Sequence, residues 1–237
     1  MSAVRIILLI IGILFILGFI PLLFGGGALL WVDLTQKDAD GFISTETDRL
    51  ASDSYAIVTE SADIVLDEDW YGGWGWCGDW DSGDFVTFKV EGSNNDASKG
   101  IFIGVAQESY LMDYLDNVEY DVISDFRLHS NGFDVDYRNY PGNSSPTAPT
   151  SETFWIKSTS GNGTQVLEWE LETGTWSLVI MNEDGSSAVD VNVFVGVKAP
   201  WIFGVGIGFV VGAIVVLIMG ILMVTFALRG RKRSQPA

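Results

Sequence analysis

The sequence predicts a mainly β domain, an antiparallel β-sandwich of jelly-roll type with one short helix, held between two transmembrane helices. Three observations predict it. Trp201 to Leu228 runs twenty-eight residues without a charge, and Ile6 to Val32 is a second uncharged run. About 20 apolar residues cross the ~30 Å hydrocarbon core, so each run is long enough to span it. All 31 acidic residues lie between Asp33 and Asp190. Within that middle, short alternating apolar and polar runs recur between turn-forming residues, the pattern of strands.

Four segments follow: a first span over 1–32, the β domain over 33–199, a second span over 200–228 and a basic tail over 229–237. Roughly 170 residues between the spans make one domain with a real core. Eight basic residues against 31 acidic ones leave that middle at −23. Such a surface repels nucleic acid and anionic headgroups, and suits a salty exterior, cation binding or a basic partner. Cys77 is the single cysteine, so no intramolecular disulfide forms. A buried thiol or an intermolecular bridge stays open.

The first span begins after Arg5 and contains Pro21 and Gly25-Gly26-Gly27. A signal peptide is the competing reading, but the run exceeds an h-region of about 7–15 residues and no small-x-small cleavage site precedes polar sequence. Pro21 is tolerated because membrane helices re-satisfy freed backbone groups. Trp31 and Trp201 suit the outer interface, and Arg229, Arg231, Lys232 and Arg233 hold the end of the second span inside. The expected topology is a two-pass protein of the cell membrane, both termini cytoplasmic and the middle domain outside.

Asp38-Ala39-Asp40-Gly41 resembles the start of a calcium loop, but the twelfth position counted from Asp38 is Arg49 where an EF-hand needs glutamate, so a turn is expected. Tyr55–Thr59 and 62–66 are expected strands. The segment 67–84 is unlike the rest. Trp70, Tyr71, Trp74, Trp76 and Trp80 are interleaved with glycines and with acids that include Asp79, Asp81 and Asp84. Aromatic rings on a glycine-rich loop stack on sugars, serve as partner hot spots or plug one end of a domain. The acids offer oxygen ligands for calcium. Phe85–Glu91 and Ile101–Ala106 are expected strands with a turn over 92–100 between them. Tyr110, Leu111, Tyr114, Leu115 and Val118 recur at helical spacing, which predicts a short amphipathic helix over an edge or end of the domain.

Residues 118–128 and 132–137 return to strand character. After a proline-containing loop over 140–151, four strands are expected at Thr153–Thr159, Gln165–Leu171, Thr175–Met181 and Ala188–Val197. Tight turns separate them, which predicts a meander.

Several of these runs are familiar together: Gly25–Trp31 leading to Asp38–Phe42, Phe102–Ala106, Tyr114-Leu115 with Val118, Phe154-Trp155, Gly161–Gln165, Trp169, Gly174–Trp176 and Val179–Gly185. With them the chain resembles a group of prokaryotic membrane proteins built as two terminal helices around one β domain. The resemblance covers most of the chain and implies topology and location. It brings no activity, and the Trp-rich insert from Trp70 to Trp80 departs from it.

Chemistry is sparse. His129 is the one histidine, and Ser130 beside it points to the opposite face of a strand, so no nucleophilic triad is expected. One Cys and one His are too few for zinc. No phosphate loop or dinucleotide fingerprint appears. Asn143 and Asn162 head sequons, and Pro146 weakens the first. Gly204, Gly208 and Gly212 recur at spacing four on the second span, with Gly220 beyond them. Such a face lets another helix approach, either within the chain, where Gly12 and Gly18 could meet it, or between molecules. No charge lies inside either span, which argues against a transport path. The expectation is a non-enzymatic structural or interaction protein, a subunit that self-associates or joins another membrane protein. The alternative is a ligand-binding or sensory ectodomain using the Trp-rich loop for a sugar or a cation. A hydrolase comes a distant third.

Overall fold

The computed structural model describes residues 3–45, 47–65, 86–129 and 132–229. In chain order it contains α1 (Ala3–Thr35), β1 (Ile43–Ser44), β2 (Asp48–Ser52), β3 (Ala56–Thr59), β4 (Ala62–Ile64), β5 (Thr87–Asn94) and β6 (Ile101–Gln107). Then come α2 (Glu108–Tyr114), β7 (Tyr120–His129), β8 (Gly132–Tyr140), β9 (Lys157–Gly161), β10 (Gln165–Glu170), β11 (Gly174–Asn182), β12 (Val189–Lys198) and α3 (Trp201–Leu228). The chain forms two compact units, Met1–Lys37 with Pro200–Ala237, and Asp38–Ala199.

In the first unit, α1 and α3 are both long and apolar enough to cross a membrane. Helix α1 carries Pro21 inside it and runs three residues past the uncharged stretch, to Thr35. Two further contacts extend that end: the Thr35 hydroxyl donates to the Trp31 carbonyl at 2.6 Å, and Lys37 pairs with Asp33.

The second unit is mainly β, in two sheets. The five-stranded sheet has the order β1-β12-β5-β10 with β2 also beside β12, and the seven-stranded sheet has the order β8-β7-β3-β11-β6-β9 with β4 beside β11. One buried cluster draws on both sheets. Leu50, Val90, Leu167 and Val191 come from the five-stranded sheet, and Ile57, Ile103, Trp176 and Ile180 from the seven-stranded one. A second cluster lies on the other face of the seven-stranded sheet, where Val58, Phe102, Val179 and Met181 meet Leu111, Leu115 and Val118.

Burial explains which strand went where. Ile101–Ala106 is buried throughout and β11 is buried at five of the six positions from Ser177 to Asn182. A strand covered on both faces reads as continuously apolar. The two pair with each other, Trp176 opposite Gln107 through Asn182 opposite Ile101, in the sheet that has a cluster on each side. By contrast β10 alternates, with Val166, Glu168 and Glu170 exposed and Leu167 buried, and it takes an edge of the sheet with one wet face.

Five expectations change. The last four strands do not form a meander: β9 pairs with β6, β10 with β5, β11 with β6 and β12 with β5, so successive strands alternate between the sheets. The two largely apolar strands need double cover, and that requirement overrides adjacency in sequence. The pairing is not antiparallel throughout, because β3 runs parallel to β7, Ala56 opposite Tyr120. Helix α2 covers the outer face of the seven-stranded sheet rather than an edge or end; Leu111 is fully buried there. The strand expected from Thr153 starts only at Lys157, since Phe154 and Trp155 pack as rings against Tyr114, at centroid distances of 5.6 and 5.9 Å. The turn expected over 92–100 begins later, because β5 stays paired with β12 as far as Asn94.

Candidate functional site

The helix pair is built on its smallest residues. The buried positions are Gly12 and Gly26 on α1, and Gly206, Ala213, Gly220 and Ala227 on α3, the last four spaced by seven. A period of seven keeps one seam facing a partner helix. A Cβ at Gly220 would stand 2.9 Å from the Gly12 carbonyl oxygen, and one at Gly26 would stand 2.8 Å from that of Gly206. The partner rises in number as the first falls, so the helices are antiparallel. Lipid tails give no hydrophobic drive between helices, and close backbone approach at small residues replaces it. Sequence reading offered Gly12 as a partner for the glycine face that includes Gly220 but not the period of the seam, although that signal, a small residue every seventh position from Gly206, was present.

Of the glycines singled out from the sequence on α3, Gly220 lies in the seam and the three at spacing four do not. Gly204, Gly208 and Gly212 have nothing within 4 Å of where a Cβ would stand, and neither has Gly18. Gly12 does meet α3, at Gly220. The four-residue stripe is therefore left over by the pairing within the chain.

In the β domain the described residues leave a space in the shared core. A cavity of about 650 Å³ lies between the sheets. Phe88, Trp169 and Val195 wall it from the five-stranded sheet, and Ile123, Trp176 and Leu178 from the seven-stranded one. The strands dictate this placement. Alternation aims Leu167 and Trp169 inward from β10, and Trp176, Leu178 and Ile180 inward from β11. The two indoles meet edge-on at 5.8 Å. Trp176 Nε1 donates to the Glu172 carbonyl at 2.9 Å, whereas Trp169 Nε1 is shielded from solvent without a hydrogen-bond partner among the described residues.

Two carboxylates, Glu60 and Asp125, also line the cavity, and no basic side chain does among the described lining residues. Outside the lining, Arg138 stands 3.7 Å from Glu60, and Arg127 pairs with both Asp125 and Asp136. The apolar walls of this space offer water few partners.

The remaining sequence-predicted residues fall in three groups. Trp70, Tyr71, Trp74, Trp76 and Trp80, together with Asp79, Asp81 and Asp84, lie outside the described residues. So do Cys77, Ser130 and the basic residues of the tail beyond Arg229. Among the described residues no group of three metal-ligating side chains occurs. Asn143 and Asn162 are both exposed. The Ser145 hydroxyl of the first sequon lies 2.9 Å from that of Tyr55, and the Asn162 carbonyl accepts from Gln165.

The Asp38 segment is a turn, as expected. One Asp38 carboxylate oxygen accepts the Asp40 and Phe42 amides at 3.0 and 2.8 Å, and Gly41 takes φ +87°. The other oxygen accepts from Lys89, which is 7% exposed and sits 4.6 Å above the Phe42 ring. The Phe42 amide, followed by Lys89, holds the Asp38 carboxyl below its usual range. Asp190 is held lower still, at about 2, chiefly by its paired bonds from Arg49 at 2.6 and 2.7 Å. These are structural ion pairs, none at the cavity.

Compared with the known protein families and with curated proteins, the chain finds no match.

Proposed function

We propose that this chain is a membrane-anchored structural and interaction protein, an assembly subunit that associates with its own copies or with another membrane protein. It crosses the cell membrane twice, keeps both termini in the cytoplasm and holds a jelly-roll-like β-sandwich outside. One observation carries the assembly reading. Helix α3 spends Gly206 and Gly220 on α1, yet Gly204, Gly208 and Gly212 keep an open face of the kind that admits a further helix. Orientation is supported by Arg229 and the basic residues that follow it. The role is one of binding, without catalysis.

The test of assembly is co-purification. Two differently tagged copies, expressed together and extracted in mild detergent, should recover each other or bring a partner chain at fixed ratio. Gly208→Leu should abolish that recovery. Loss of recovery already in the unaltered chain, with no partner chain present, defeats the reading. For topology, protease added outside intact cells should cut the β domain and leave an epitope on the tail untouched; the reverse pattern would invert the orientation.

A ligand-binding ectodomain is the second reading. The cavity between the sheets favours it.

A further inference from the structure

From the inter-sheet cavity we infer that the β domain binds one apolar chain of an uncharged single-chain amphiphile, seated between Trp169 and Val195 on one wall and Trp176 and Leu178 on the other. This goes beyond the assembly reading and stands or falls without it.

Size sets the first limit. Ligand pockets run to about 300–1,000 Å³, and about 650 Å³ lies within that range. A methylene is close in size to a water, whose share of liquid volume is about 30 Å³, so the space takes roughly twenty methylenes. That accommodates one long acyl or isoprenoid chain and excludes two.

Polarity sets the second. Indole and aliphatic side chains make most of the wall, and the ionisable groups of the described lining, Glu60 and Asp125, are both acidic. Among the described lining residues none is basic, and Arg127 and Arg138 beside the lining are already paired with Asp125 and Glu60, so an anionic amphiphile is disfavoured. A hydroxyl or carbonyl near the chain has a donor in Trp169 Nε1, which has no hydrogen-bond partner among the described residues. Sugar recognition fits poorly, because it needs many hydrogen-bonding groups around the ring and this wall offers few. The occupant is taken to come from the bilayer, the apolar phase that a chain with two spanning helices always meets.

The experiment uses the full chain in lipid nanodiscs with a monoacylglycerol carrying a diazirine at its chain end. After illumination, adducts are mapped by peptide mass. Adducts are expected on the peptides of β10 and β11, saturable and competed by unlabelled monoacylglycerol. Adducts on α1 and α3 serve as the internal control for probe in the membrane. Leu178→Trp and, from the opposite wall, Val195→Phe fill the space, and each should cut β10 and β11 labelling by about tenfold with helix labelling unchanged. Two variants from different sheets keep the test decisive if one fails to fold.

A parallel arm delivers a short-chain, water-soluble analogue of the probe without nanodisc lipid. Labelling in the nanodisc arm makes the bilayer the source. Labelling in the soluble arm alone keeps the apolar-chain site and overturns its membrane source. Labelling confined to the helices, as when the chain's own residues fill the space, overturns the site. So does labelling of β10 and β11 that survives both substitutions.

Discussion

The two units of this chain invert each other. In the helix pair the buried residues are the smallest, Gly12, Gly26, Gly206, Ala213, Gly220 and Ala227, and the largest face outward: Phe24 is 74% exposed and Phe226 71%. In the β domain the large side chains are inside, with Phe42 and Phe102 each 2% exposed. The inversion is the one that a change of solvent from water to lipid produces. Water drives large apolar groups together at about 25 cal/mol per Å². Lipid gives no such drive, so helices meet where their backbones approach closest. Both long helices leave their large residues exposed, whereas the core helix of a water-soluble protein buries them.

The same substitution should therefore have opposite weight in the two units. Leu111→Ala removes a fully buried side chain between α2 and the seven-stranded sheet. It should cost about 2–5 kcal/mol, read as a lower denaturation midpoint of the full chain in mild detergent. Its counterpart, Leu222→Ala, truncates a side chain that is 62% exposed on α3, and comes last in size below. An equal loss at both sites would break the inversion.

Overpacking is the next largest effect, and it belongs to the helices. Gly220→Leu would place an isobutyl group against the Gly12 carbonyl. Forcing extra methylenes into a packed contact costs about 1–3 kcal/mol or more. It should part the helix pair, seen as loss of a cross-link between cysteines placed on α1 and α3. Gly204→Leu, with open space around it, should leave that cross-link intact.

Acid separates the units by charge. Asp190 falls to about 2 in the fold, held by Arg49, and Asp38, Asp136 and Asp184 are also lowered. A carboxylate lowered on folding contributes stability above its unfolded pKa of about 3.9, and loses it as pH falls through the folded value. The β domain should thus weaken between about pH 4 and pH 2. The Arg49–Asp190 pair is exposed, so water and salt screen it and its share is small. The seam of the helix pair, from Gly12 to Gly26 and from Gly206 to Ala227, contains no ionisable residue and should not respond. Circular dichroism melts at pH 7 and pH 2.5 check the first half, and the α1–α3 cross-link the second. Leu222→Ala should change stability by less than about 0.5 kcal/mol.

Much of this was legible because it is local. Charge-free runs marked both helices, alternation gave the inward face of β10 as Leu167 and Trp169, and the Asp38 turn followed from residue types alone. What local pattern could not give is which sheet a strand joins. The tight turns after β9, β10 and β11 looked like hairpins, yet each passes the chain to the other sheet, because Ile101–Ala106 and Ser177–Asn182 needed cover on both faces. The continuous apolar runs carried that information, and adjacency in sequence hid it. The helix seam was readable as a heptad of small residues, but the four-residue glycine stripe beside it is the more conspicuous pattern. The cavity had no sequence signal: it arises from how Trp169 and Trp176 meet across two sheets.

The most direct test of the assembly proposal is the mass of the intact particle in mild detergent, measured for the unaltered chain and for Gly208→Leu. The account predicts a fixed multiple of 25.9 kDa, or a fixed ratio with partner chains, for the first. It predicts a folded single copy for the second. A single copy of the unaltered chain, or a Gly208→Leu particle of undiminished mass, would contradict it.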